Sequence, residues 1–77
     1  MIEVLLYGNT KELVRNRFPK ANTILLFEHV EGEHFQELLK RLGLTLEDVG
    51  DCYINNTPAM PENVIHDSDT IELNQRA

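Results

Sequence analysis

The chain carries one thiol, Cys52, three imidazoles, His29, His34 and His66, and an acidic turn, Asp67-Ser68-Asp69. A cysteine attacks or ligates as its thiolate, and needs a nearby base or positive field to form one. Cys52 instead follows Asp51, whose charge opposes ionisation, and reads as a small buried hydrophobe on a strand. The histidines fall on a strand, at a helix start and in a loop. No two share the spacing that sets two ligands on one helix face, and no cysteine pair completes a metal set. They are expected at the surface. Asp67 and Asp69, with Glu62, offer carboxylates to a cation, but a calcium loop needs more oxygen ligands at regular spacing and a glycine at the bend. The aspartates fit better as turn residues bonding nearby backbone N–H groups. Gly8, in the stretch Gly8 to Glu12, is a single glycine before a short helix and falls short of a phosphate-cradling loop. There is no Ser/His/Asp spacing and no paired-carboxylate motif. These residues lead us to expect no catalytic centre, no metal and no cofactor, and so no self-contained enzyme.

A different chemistry remains open to Leu5, Tyr7 and Tyr53. Alternation along their strands turns them away from the core, among Glu3 and Glu72. Tyr and Leu within a charged rim are what a protein-docking patch presents; scattered exposed apolar residues are the ordinary alternative. The formal net charge of -6 disfavours a nucleic-acid partner, because phosphate backbones are neutralised by Lys and Arg. It likewise disfavours an anionic membrane surface. It suits docking onto a basic protein surface. No stretch approaches the roughly 20 apolar residues of a membrane span. The opening residues lack the basic region of a signal peptide, so the expected location is the cytoplasm.

These groups must be positioned by a single domain spanning all 77 residues. Ile2 to Tyr7 alternates, with Ile2, Val4 and Leu6 on one face. Asn9 or Thr10 can cap a short helical stretch, "KELVRNRF", closed by Pro19. Thr23 to His29 reads as a second strand whose apolar positions are too continuous to assign a buried face. In "GEHFQELLKRLGL", Phe35, Leu38, Leu39 and Leu42 form one helical stripe. Glu37 and Arg41 are spaced as an i,i+4 ion pair, and Gly43 and Leu44 have the chemistry of a Schellman cap. "TLEDVG" is a turn of helix or 3₁₀ with Thr45 as N-cap and Gly50 closing it. Cys52 and Ile54 point one way and Tyr53 the other. Asn55-Asn56 suits a hairpin turn, and Pro58 confines the returning strand to an edge. Thr70 to Asn74 is the last strand.

One main helix and a mostly β sheet bury each other's apolar faces. The expected fold is α+β, a ubiquitin-like β-grasp with a mixed four- to five-stranded sheet on one main helix. A ferredoxin-like arrangement has similar content but needs a second long amphipathic helix.

The same stretches resemble the ubiquitin-like sulfur carriers, the ThiS/MoaD-like family that includes the thiamine sulfur carrier and the small subunit of molybdopterin synthase. Gly32, Phe35, Leu38, Leu39, Leu42 and Gly43 match the family's helix segment, "YINNTPA" its strand and asparagine turn, and "VIHDSDTIEL" its final turn and strand. The resemblance implies a β-grasp fold, a role in thiamine or molybdenum-cofactor biosynthesis, and an E1-like partner that adenylates a terminal carboxylate, here that of Ala77. The family's tail ends in Gly-Gly. Here Leu73 is followed by Asn74-Gln75-Arg76-Ala77, with no glycine. The expectation is therefore a protein-interaction module related to these carriers, with sulfur carriage as the alternative.

Overall fold

The alternation of the first residues becomes strand β1, Ile2–Leu6, with Ile2, Val4 and Leu6 buried and Glu3 and Leu5 partly exposed. The computed structural model describes residues 1–77. Helix α1 is a short element, Thr10–Val14. Its Thr10 is fully buried, and the hydroxyl donates to the Tyr7 carbonyl at 2.7 Å. The expected helix up to Pro19 stops four residues early. Asn16 and Arg17 make i−3 bonds to Leu13 and Val14, while the Arg15 Nε–H reaches forward to the Ala21 carbonyl at 2.7 Å and tightens the chain into turns.

Strand β2 covers Ile24–Phe27, shorter than Thr23 to His29. Its faces are now assigned: Leu25 and Phe27 are half-buried, whereas Ile24 and Leu26 point to solvent, 60% and 64% exposed. Phe27 meets Phe18 edge to face, with ring centroids 5.3 Å apart.

Helix α2, Phe35–Arg41, buries Phe35, Leu38 and Leu39, and its C-cap Leu42 completes the stripe. The Gly43 N–H bonds to the Lys40 carbonyl and the Leu44 N–H to Leu39, the two bonds of a Schellman motif, with Gly43 at φ +84. Glycine reaches that left-handed region without a Cβ penalty. The expected Glu37–Arg41 pair does not form. Glu37 turns back to accept the His34 backbone N–H at 2.9 Å. Arg41 is drawn instead to Glu33, a buried carboxylate that needs a charged partner.

A 3₁₀ turn, Leu46–Asp48, follows, capped as Thr45 N–H donates to Asp48 at 2.8 Å. Strand β3 is Val49–Ile54, β4 is Thr57–Pro58 and β5 is Thr70–Gln75. Gly50 therefore lies inside β3 rather than closing the preceding turn. Asn55 and Asn56 adopt φ of +50 and +67 between β3 and β4, the signs that a type I′ hairpin requires.

The five strands form one mixed sheet in the order β2-β1-β5-β3-β4. β1 and β5 are parallel at its centre and every other pair is antiparallel. Ile71 and Leu73 of β5 are fully buried and meet the α2 stripe in one core of 15 buried residues. Two consecutive strands never lie between the helices, so the ferredoxin-like order is absent.

Candidate functional site

Because strand residues alternate between faces, burying Val4, Leu6, Cys52, Ile71 and Leu73 commits their neighbours to the other side. Strand register aligns those neighbours. Ile24 of β2 stands opposite Leu5 of β1, Leu5 opposite Glu72 of β5, Glu72 opposite Tyr53 of β3, and Tyr53 opposite Pro58 of β4. The five form one row across the whole sheet, on the face away from α2. Leu26, Glu3 and Thr70 form the adjacent row. Two of the three residues singled out from the sequence, Leu5 and Tyr53, thus flank a single carboxylate. Tyr7 lies just beyond β1. Its N–H bonds to the Leu73 carbonyl at 3.0 Å, and the residue is 40% exposed.

Glu72 is held in place. Its carboxylate accepts from Asn74 Nδ2 at 2.9 Å, and the same nitrogen donates to the Asp51 carbonyl at 2.8 Å. The row therefore reads as an apolar group of Ile24, Leu5 and Leu26, an anchored acid, and an aromatic ring beside a proline. Ile24 and Leu26 were not separable by sequence, since "ILLF" has no alternation; only pairing with β1 assigns their face.

The remaining candidates stay apart. Burial pushes the Cys52 thiol up, partly opposed by a backbone hydrogen bond from Asn74, and the charges of Asp51 and Glu72 push the same way as burial. That environment favours the thiol over the nucleophilic thiolate. His29 is half-buried rather than fully at the surface, with Nε2 3.1 Å from the Ile65 carbonyl. His34 caps α2 beside Glu37, and His66 is exposed. Asp69 accepts from the His66 N–H and from Asn55 Nδ2, both at 2.8 Å. Asp67 lies 2.6 Å from the Met1 amino group, and that hydrogen bond and charge hold its carboxyl below the usual range. Glu62 does not join them: no three His, Cys, Asp or Glu side chains converge as metal ligands.

No family model, curated protein or solved structure matches this chain. Its site must be read from its own geometry.

That geometry also accounts for residues 74–77. Gln75 is still part of β5, and its Oε1 accepts the Asn9 N–H at 2.8 Å. Arg76 Nη1 donates to the Glu47 carbonyl at 3.1 Å, and Ala77 is exposed. No helix is long and apolar enough to cross a membrane.

Proposed function

We propose that this protein is a β-grasp interaction module that docks a protein partner on the outer sheet face, through Leu5, Tyr53 and the more exposed Tyr7 just beyond β1. The observation that carries the reading is the row Ile24–Leu5–Glu72–Tyr53–Pro58. Aromatic and aliphatic anchors around a fixed polar group are how interfaces combine affinity with register. Glu72 stands at the middle of the row and Glu3 and Asp51 add acid beside it, so the partner surface would set a basic group among apolar ones and carry further basic groups around them. A parallel pair at the centre of a mixed five-stranded sheet, with one main helix, supports the β-grasp assignment.

The test is partner capture by the wild-type protein and by Leu5→Gln/Tyr53→Gln, with circular dichroism confirming that both fold. The double variant should lose the partner, and wild-type binding should weaken with salt. Equal capture by both proteins rejects the face.

Sulfur carriage is the second reading, supported by the family-like helix and turns. Against it, Gln75 and Arg76 are tied to Asn9 and Glu47 rather than extending freely from the sheet. Incubation with an E1-like enzyme, ATP and a sulfur donor should leave the intact mass unchanged. Replacement of one oxygen by sulfur would favour the carrier.

A further inference from the structure

The two edges of the sheet differ. β4 is two residues long and contains Pro58, which lacks an N–H; such an edge resists pairing. β2, Ile24–Phe27, has neither a charge nor a proline. Its register with β1, and the 2.7 Å bond from Leu6 N–H to the Thr23 carbonyl, commit the backbone groups of residues 23, 25 and 27 to β1. Antiparallel bonding alternates along a strand, so Ile24 and Leu26 aim their N–H and C=O groups at the open edge. The same two residues carry the largest exposed aliphatic side chains on the outer face.

Charge is polarised along this edge. Before β2, residues 11–20 hold Lys11, Arg15, Arg17 and Lys20, four of the chain's seven cations. After it come Glu28 and Glu31, both exposed. We propose that β2 pairs antiparallel with β2 of a second copy of this chain, about a two-fold axis at Leu25. Ile24 then exchanges both backbone hydrogen bonds with Leu26 of the second copy, and Leu26 with its Ile24. The antiparallel sense brings the Lys20 end of each strand beside the Glu28 end of the other; a parallel pairing would set like charges together. Such isologous contact closes after two copies.

Both faces gain cover. On the outer face the two Ile24 and two Leu26 side chains form one apolar cluster. On the inner face Leu25 meets Leu25 of the second copy as a non-hydrogen-bonded pair, the closer of the two spacings. Leu25 also lines an open groove of about 420 Å³ with Phe18, Pro19 and Ala21, rimmed by Arg17 and Lys20. Pairing would join and close two such grooves.

The proposal shares Ile24 and Leu26 with the docking face but rests on their outward backbone groups at the sheet edge and not on Leu5 or Tyr53, so the two are separated by different variants. Sedimentation of the full chain from about 1 µM to about 1 mM, a range reaching weak specific association, should show passage from 8.9 kDa protomer to dimer. Leu26→Lys, at an exposed position, should remain folded and move the midpoint at least about tenfold higher in concentration, as charge on an open edge blocks pairing. Lys20→Glu should weaken the dimer, and Lys20→Glu/Glu28→Lys should restore it. A monomer throughout the range overturns the proposal, as does a dimer indifferent to Leu26→Lys. Failure of the charge swap to restore pairing overturns the two-fold register. Loss of dimer with Leu5→Gln/Tyr53→Gln but not with Leu26→Lys would assign self-association to the docking face instead.

Discussion

Gly50 of β3 faces the backbone of Gln75 in β5 so closely that a Cβ at Gly50 would stand 2.5 Å from the Gln75 carbonyl oxygen and 3.1 Å from Arg76 Cα. The register between the two strands shifts between Val49 and Cys52 at this point. A bulge and a glycine together let the last central residues lie against β3. Because the opposing atoms are backbone, no rotamer change relieves the clash. Gly50→Ala should cost about 1–3 kcal/mol, the range for overpacking a tight site. Thermal melting should fall, and amide exchange should accelerate at residues 74–76 while Ile71 and Leu73 stay protected. An unchanged melting temperature would contradict the close approach.

Arg41 and Glu33 form the one deeply placed ion pair. Arg41 Nε and Nη2 meet the two carboxylate oxygens at 2.6 and 2.8 Å, and the Glu33 side chain is only 6% exposed. That hydrogen bond is the main cause that raises the guanidinium above its usual value. Arg41 also donates to the Glu28 carbonyl at 2.7 Å and lies 4.4 Å from the Phe27 ring centroid. It therefore ties α2 to the end of β2. Arg41→Ala should cost about 2–4 kcal/mol, since it strands a buried carboxylate. Arg41→Met/Glu33→Leu should recover most of that loss. Urea midpoints of the three proteins measure both effects.

Periodicity made the helix stripe, its glycine cap and the inward faces of β1 and β5 legible, because each follows from a local 3.6- or 2-residue pattern. Leu5 and Tyr53 were placed on the outer face by the same alternation. Their joint flanking of Glu72 was not readable, since it depends on the register of three strands distant in sequence. Arg41 had two acids within reach of one helix face. Spacing favoured Glu37, whereas burial of Glu33, a tertiary property, decided the pair. The open edge at Ile24 and Leu26 was hidden by a continuous apolar run, which carries no face information until a neighbour is assigned.

Cys52 should behave as an inert thiol. Burial raises its ionisation above the ordinary 9.0, only partly offset by the Asn74 backbone hydrogen bond, and Asp51 and Glu72 add to the rise. With the folded value above the unfolded one, the native state holds the proton longer. The stability linked to it is complete below the unfolded value and is lost as pH rises through the folded one. Iodoacetamide should react slowly with the native protein at pH 8 and faster only at higher pH. Cys52→Ala should reduce the alkaline loss of stability. Native reaction at pH 8 as fast as that of the urea-unfolded chain would refute this.

Asn55 and Asp69 couple the β3–β4 hairpin to the turn before β5. Asn55 Nδ2 donates to Asp69 Oδ1 at 2.8 Å while Asn55 Oδ1 accepts the Thr70 N–H at 2.9 Å, and Asp69 Oδ2 accepts the His66 N–H at 2.8 Å. Asp69 is 8% exposed, and its removal takes the acceptor from both donors at once. Asp69→Ala should cost about 2–3 kcal/mol, less than two full bonds to a charged acceptor because Asn55 and His66 are exposed and water can replace part of each. Asn55→Ala should cost a similar amount, because it also forces alanine to φ +50. The double variant should be less destabilised than the two singles added together, by about 1 kcal/mol, as contacting residues in one network are not independent. Strict additivity in the denaturant cycle would mean that hairpin and turn are held separately. Asn56→Gly, at φ +67, should instead stabilise by a few tenths of a kcal/mol, since glycine suits the second position of this turn.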